Sequence, residues 1–225
     1  MDKEQQIIKK YFKPLAKNVE SLGLENDSAF LKKHNLVIST DMMIEDKHFE
    51  KNCDPKLLAK KLLRINLSDI AAMGAYPFGF FLNIALPKNN LDKWLTEFCK
   101  GLKSDMRKYN IKLFGGDTSS SDKIFLNVTI LGKIKNQGLC HVKNFAKNNS
   151  SIYVTGNIGD AALGFCLQKN YFYFQCSNKN KQKLIKKFNL PEPRLITSQN
   201  LLGKVDFCTD ISDGLLRELH QIANH

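Results

Sequence analysis

The chain has 225 residues, 43% of them hydrophobic, and a formal net charge of +12. That is enough to bury a substantial core, while the absence of any apolar run near the roughly 18–20 residues that span a bilayer, and of an apolar stretch after Met1, excludes a membrane partner and predicts a soluble, cytoplasmic protein. The basic charge would suit nucleic acid, but Lys9-Lys10, Lys32-Lys33, Lys60-Lys61 and the Lys/Asn-rich Ser177–Lys187 are spread along the chain without an interleaved aromatic motif, the pattern of a solvated surface.

Lys3 to Lys17 reads as a short helix stopped near Pro14, followed by a connector through Gly23. Leu36-Val37-Ile38-Ser39-Thr40 has the β-branched character of a short buried strand ending on an acidic segment, Asp41 to Asp46. From Pro55 to Met73, Leu57, Leu58, Leu62, Leu63, Ile65, Leu67, Ile70 and Ala71 recur at helical spacing until Gly74 and Pro77 end the run. Phe78 to Leu86 predicts a second strand, and Leu91 to Tyr109 a helix carrying Trp94, Leu95, Phe98 and Leu102. Ile111 to Phe114 leads into Gly115-Gly116-Asp117, and Ile124 to Ile134 alternates as a long strand. Ile152 to Thr155 predicts another, followed by Gly156, Gly159 and a helix start at Asp160-Ala161-Ala162. A Tyr/Phe patch (Tyr171 to Phe174), a Lys/Asn-rich helix or loop, the turn Pro191-Glu192-Pro193 and a last acidic motif over Thr209 to Gly214 complete the chain. The predicted class is α+β: an N-terminal domain with a mixed β-sheet backed by helices over residues 1–137, then the first part of a second α/β domain over 138–225.

The six cysteines (Cys53, Cys99, Cys140, Cys166, Cys176, Cys208) form no CxxC pair and no zinc-spaced cluster, so they read as reduced thiols. The informative pattern is acidic. Ser39-Thr40-Asp41, Asn66-Leu67-Ser68-Asp69, Gly115-Gly116-Asp117-Thr118 and Asp210-Ile211-Ser212-Asp213-Gly214 each put Asp beside Ser, Thr or Gly near the end of an apolar element. Each alone is what an N-cap or turn looks like. Asp69, however, interrupts an apolar helical run, where a carboxylate costs several kcal/mol to bury unless something positive compensates. Carboxylates gathered from several loops suit Mg²⁺, which takes one or two of them together with waters and phosphate oxygens. Gly115-Gly116 permits positive φ and close backbone approach to a phosphate. Gly156-Asn157-Ile158-Gly159-Asp160 is most economically a tight strand–helix turn.

These segments, with Ser39-Thr40-Asp41-Met42-Met43-Ile44-Glu45-Asp46-Lys47-His48-Phe49, Asn66 to Ala75 and Tyr153 to Ala162, resemble thiamine-monophosphate kinase in the same order and over nearly the whole chain. The resemblance implies transfer of the γ-phosphoryl of ATP to thiamine monophosphate, with Mg²⁺ and no phosphoenzyme, in a homodimer whose N-terminal sheets meet. It implies metal ligation by Thr40, Asp41, Asp69, Asp117, Asp210 and Asp213, and ATP contact by Gly116, Asp117 and Ser212. It places His48, otherwise an ordinary surface histidine, on the thiamine phosphate.

The pattern breaks in three places. The family's first metal-binding turn reads Gly-Asp-Asp, and here it reads Glu25-Asn26-Asp27, so Asn26 brings an amide oxygen where a charge is expected. A family arginine on the nucleotide falls near Lys143, which keeps the charge without the bidentate fork. The chain stops at His225, one helix past the last acidic motif, which predicts an incomplete second domain, uncovered apolar surface and marginal stability. Two readings stay open: a working kinase, or an inactive remnant that at most binds nucleotide, Mg²⁺ or a partner subunit.

Overall fold

A computed structural model describes residues 3–88, 91–135, 141, 150–171 and 175–223. Its strands are β1 (Ala29–Leu31), β2 (Leu36–Ile44), β3 (Tyr76–Leu86), β4 (Lys112–Ser120) and β5 (Phe125–Lys133). Its α-helices are α1 (Lys3–Ile7), α2 (Pro55–Ala72), α3 (Asp92–Lys108), α4 (Asp160–Lys169), α5 (Asn178–Asn189), α6 (Leu195–Leu201) and α7 (Leu215–Ala223).

α2 organises the core. Pro55 occupies its first turn and the Asp54 carboxylate caps it, accepting from the Lys56 and Leu57 amides at 2.8 and 3.2 Å. Leu62, Leu63, Leu67 and Ile70 are fully buried against the sheet residues Val37, Phe80, Leu126, Val128 and Ile130, each large enough to supply about 1.5–3 kcal/mol of transfer free energy. α3 packs on α2 through Phe98 and Leu102, with Trp94 stacked on Phe98 at 4.9 Å. Between them Arg64 donates to both Asp105 oxygens, at 2.5 and 3.2 Å, and reaches the Pro191 carbonyl at 3.3 Å, joining α2, α3 and the chain after α5.

The sheet is mixed, in the order β1-β2-β5-β3-β4. Its pairs are antiparallel except β3 with β4, which run parallel because α3 carries the chain back across. α2 covers one face. On the other, Thr40, Met42, Phe81 and Asp117 lie exposed, and β4, at the edge, is exposed at every residue.

Three expectations are corrected. The first strand runs on through Asp41 to Ile44, because β5 pairs with it residue for residue across the acidic stretch. Gly115-Gly116-Asp117 is no turn but the middle of β4. A register shift between Phe80 and Phe81 absorbs Phe114, and a Cβ on Gly116 would sit 1.8 Å from the Leu82 carbonyl oxygen, so the glycine serves strand contact. Ile152–Thr155 forms no strand; Tyr153 is 90% exposed, and an apolar sequence without an edge to pair with does not become one. The boundary at 137/138 and most of the Tyr/Phe patch lie outside the described residues.

After Ser150 the described elements are helices. α4 and α5 pack tightly, with Gly164 against the Leu184 carbonyl. α6 docks on the end of α2: Ser198 donates to the Ala71 carbonyl, which also accepts the Gly74 amide at 2.9 Å, Gln199 donates to the Ala75 carbonyl at 3.1 Å, and His141 meets the Ser198 carbonyl at 3.0 Å. Replacing Asp105, 1% exposed, by Ala should cost about 3–5 kcal/mol by stranding the Arg64 guanidinium in the core. Urea denaturation of D105A measures it.

Candidate functional site

The docking of α6 carries the chain to Thr209 and Asp210, beside the final turn of α2. There Asp69 meets the Ser39 hydroxyl of β2, 2.6 Å from its Oδ2. Ser39 Oγ also lies 3.0 Å from the Asp27 carbonyl, and Thr209 donates to Asp27 Oδ1 at 3.2 Å. Asp41 shares the face of β2 that carries Ser39 and Val37, toward α2, and the Ser68 hydroxyl bonds to Asp210. Four half-buried carboxylates, Asp27, Asp41, Asp69 and Asp210, thus converge from four stretches of chain.

Their mutual repulsion is visible in their acidities. Burial first, then the charges of Asp210, Asp41 and Asp27, push Asp69 up to about 9 against the relief of the Ser39 hydrogen bond. Burial and Asp27 push Asp210 to about 7, with Ser68 opposing. Burial raises Asp41 as well, while His48 draws it back. Among the described residues no three His, Cys, Asp or Glu side chains form a closed metal cage. The donor set nonetheless fits a hard divalent cation that keeps waters and phosphate oxygens, since such an ion needs few protein carboxylates and would cancel this repulsion.

The other sequence-designated residues lie elsewhere. Asn26 is half-buried next to Asp27, and it is Asp27 that joins the carboxylate group. Asp213 is exposed and pairs with Arg217 at 2.5 Å, and Ser212 beside it is exposed. Thr40 and Asp117 occupy the open face of the sheet, opposite Asp41: Met42, Asn127, Asn83 and Asp117 are successive cross-strand partners, as are Asp41, Val128, Leu82 and Gly116 on the helix-covered face. Lys143 lies outside the described residues. His48 accepts the Ile44 amide on Nδ1 at 3.0 Å and borders a cavity of about 360 Å³, walled by Phe49, Lys61, Phe165, Tyr171 and Phe188. There burial lowers Lys61 to about 8, its ammonium 3.4 Å from the Phe188 ring centre. The hydroxyls of Ser39, Ser68 and Thr209 are the site's unassigned members. Their signal was adjacency, each standing one or two residues before an Asp.

The AIR synthase related protein, N-terminal domain, family matches residues 25–134. A thiamine-monophosphate kinase of Buchnera aphidicola subsp. Schizaphis graminum is 40% identical, covering 97% of this chain and 68% of its own. The crystal structure of a thiamine-monophosphate kinase from Stenotrophomonas maltophilia K279a is 30% identical, with a TM-score of 0.76, over 94% of this chain and 68% of that one. The fold is shared with AaThiL complexed with AMPPCP and TMP, at a TM-score of 0.87 and 24% identity over 98% of this chain and 69% of that one.

The raised carboxyls fix the sign of the pH dependence. Between 3.8 and about 9 the folded state keeps a proton on Asp69 that the unfolded chain releases, so stability from this group falls as pH rises through that window. Without divalent cation the melting temperature should therefore drop from pH 5 to pH 8.5, and Mg²⁺ should restore most of the loss. D69N should melt higher than the parent at pH 8 without metal; a lower melt would contradict the crowding of the four acids.

Proposed function

We propose, on the premise that this chain belongs to the thiamine-monophosphate kinase family, that it passes the γ-phosphoryl of ATP to thiamine monophosphate, yielding thiamine diphosphate and ADP. The observation that carries this reading is the convergence of Asp27, Asp41, Asp69 and Asp210, supported by 40% identity spanning 97% of the chain. A phosphate oxygen of thiamine monophosphate bonds to the γ-phosphorus as the bond to the β,γ-bridging oxygen breaks, and the electron pair leaves with ADP. Such transfers are governed by positioning and charge neutralisation rather than by covalent work of the protein.

Mg²⁺, held by carboxylates of this group, would supply charge neutralisation at the phosphates. The chain's part is to hold charge and geometry. Asp41, Asp69 and Asp210 give up protons as positive charge arrives, Asp27 stands with them beside Asn26, and Ser39, Ser68 and Thr209 fix the orientation of the group. Thr40, Asp117 and Asp213 complete the proposed metal ligands. Gly116, Ser212 and Lys143 are proposed to face the nucleotide, and His48, at the mouth of the aromatic cavity, the phosphate of the acceptor. Residues 1–137 would form the ATP- and Mg²⁺-binding domain and 138–225 the opening of the second, in a cytoplasmic enzyme that binds neither nucleic acid nor membrane.

The enzyme would be a homodimer. Asp117 lies three strand spacings from Asp41, roughly 14 Å, and on the opposite face of the sheet.

Incubation with labelled ATP, Mg²⁺ and thiamine monophosphate should give labelled thiamine diphosphate; no product above background would refute the kinase reading. D69N and D117N should each be inactive.

A further inference from the structure

The open face of the sheet carries a polar line that the proposed chemistry leaves unused. From β4 inward, the Asp117 backbone N–H donates to Asn83 Oδ1 at 3.0 Å. Asn83 Nδ2 donates to Asn127 Oδ1 at 3.2 Å. Asn127 Nδ2 lies 3.1 Å from Thr40 Oγ1 and 3.2 Å from the Asp41 carbonyl. Thr40 Oγ1 in turn sits 3.1 Å from Thr129 Oγ1. A backbone N–H can only donate, so the Asp117 amide fixes the orientation of Asn83. That fixes Asn127, whose NH₂ must then face β2. One unbroken, directional chain of hydrogen bonds therefore crosses β4, β3, β5 and β2, with acid-bearing backbone at both ends. The Asp117 carboxylate is held from the other side as well, accepting the Thr118 amide at 2.9 Å.

Such bonds on a water-exposed face add little to stability, because water competes for every partner. Asn is also disfavoured in strand interiors, yet here two Asn face each other at the same register among the apolar neighbours Met42 and Phe81.

We propose that Asn83 and Asn127 are positioning residues, whose paired amides lock the backbone at Asp117 to the backbone at Asp41. The two strands that present the carboxylates then hold one relative setting. The inference rests on the kinase reading.

The test uses the full chain and three variants, N83L, N127L and the double variant. The readouts are the melting temperature without ligand, the free Mg²⁺ that gives half of the thermal shift produced by ATP, and KM for Mg²⁺-ATP against kcat. Each single variant should keep its ligand-free melt within about 2 °C, as an exposed substitution does. Each should raise the Mg²⁺ requirement and KM about threefold to tenfold, the span of one lost hydrogen bond. The double variant should be no worse than either single, because one break already interrupts the line. An unchanged Mg²⁺ requirement, or losses that add in the double variant, would overturn the proposal. A parent chain that shows no thermal shift with Mg²⁺ and ATP would instead overturn the kinase reading, and with it this role.

Discussion

Four carboxylates held within electrostatic reach of one another, those of Asp27, Asp41, Asp69 and Asp210, are the constraint around which the rest is arranged. Their folded state is one that electrostatics opposes, since each buried negative charge raises the cost of the next. Asp69 stands in the last turn of α2, the negative end of that helix's dipole, which adds to the cost. Holding such a group together requires rigid elements on every side. α2 supplies one through its buried apolar side chains, and β2 supplies another through unbroken pairing with β5. The segment bearing Asp210 lies in no helix or strand, and α6, just before it, docks on the end of α2. One set of contacts therefore covers the helix terminus and brings Asp210 to the site.

The fold was largely legible wherever a local period decided the matter. The helix from Pro55, the helix from Leu91 and the strand from Ile124 were all readable, because amphipathic spacing and the punctuation of Pro and Gly suffice for elements packed on one face. The failures share a different cause. Gly115-Gly116-Asp117 has the composition of a turn, and only the neighbouring β3, contributed from thirty residues upstream, makes it a strand. Ile152–Thr155 has the composition of a strand, and no partner edge stands beside it. Pairing is a property of two segments, and a single sequence shows one at a time.

The site was legible by residue type and not by placement. Aspartates flanked by hydroxyls gave away Asp41, Asp69 and Asp210 as a group. Nothing local distinguished Asp117 from them, because strand parity decides which side of a sheet a residue takes and parity depends on register. Likewise Asp27, beside Asn26 in an irregular turn, is the one that acts electrostatically on Asp69 and Asp210.

The outer strand leaves a consequence for life in a crowded solution. Lys112 to Ser120 borders the sheet with a row of backbone groups open to recruitment by any extended chain that drifts past. Two adjacent glycines, the charges of Lys112 and Asp117, and the polar run of Thr118, Ser119 and Ser120 make it a poor template for fibrillar stacking. The composition that opens this strand to solvent also keeps it from becoming a seed.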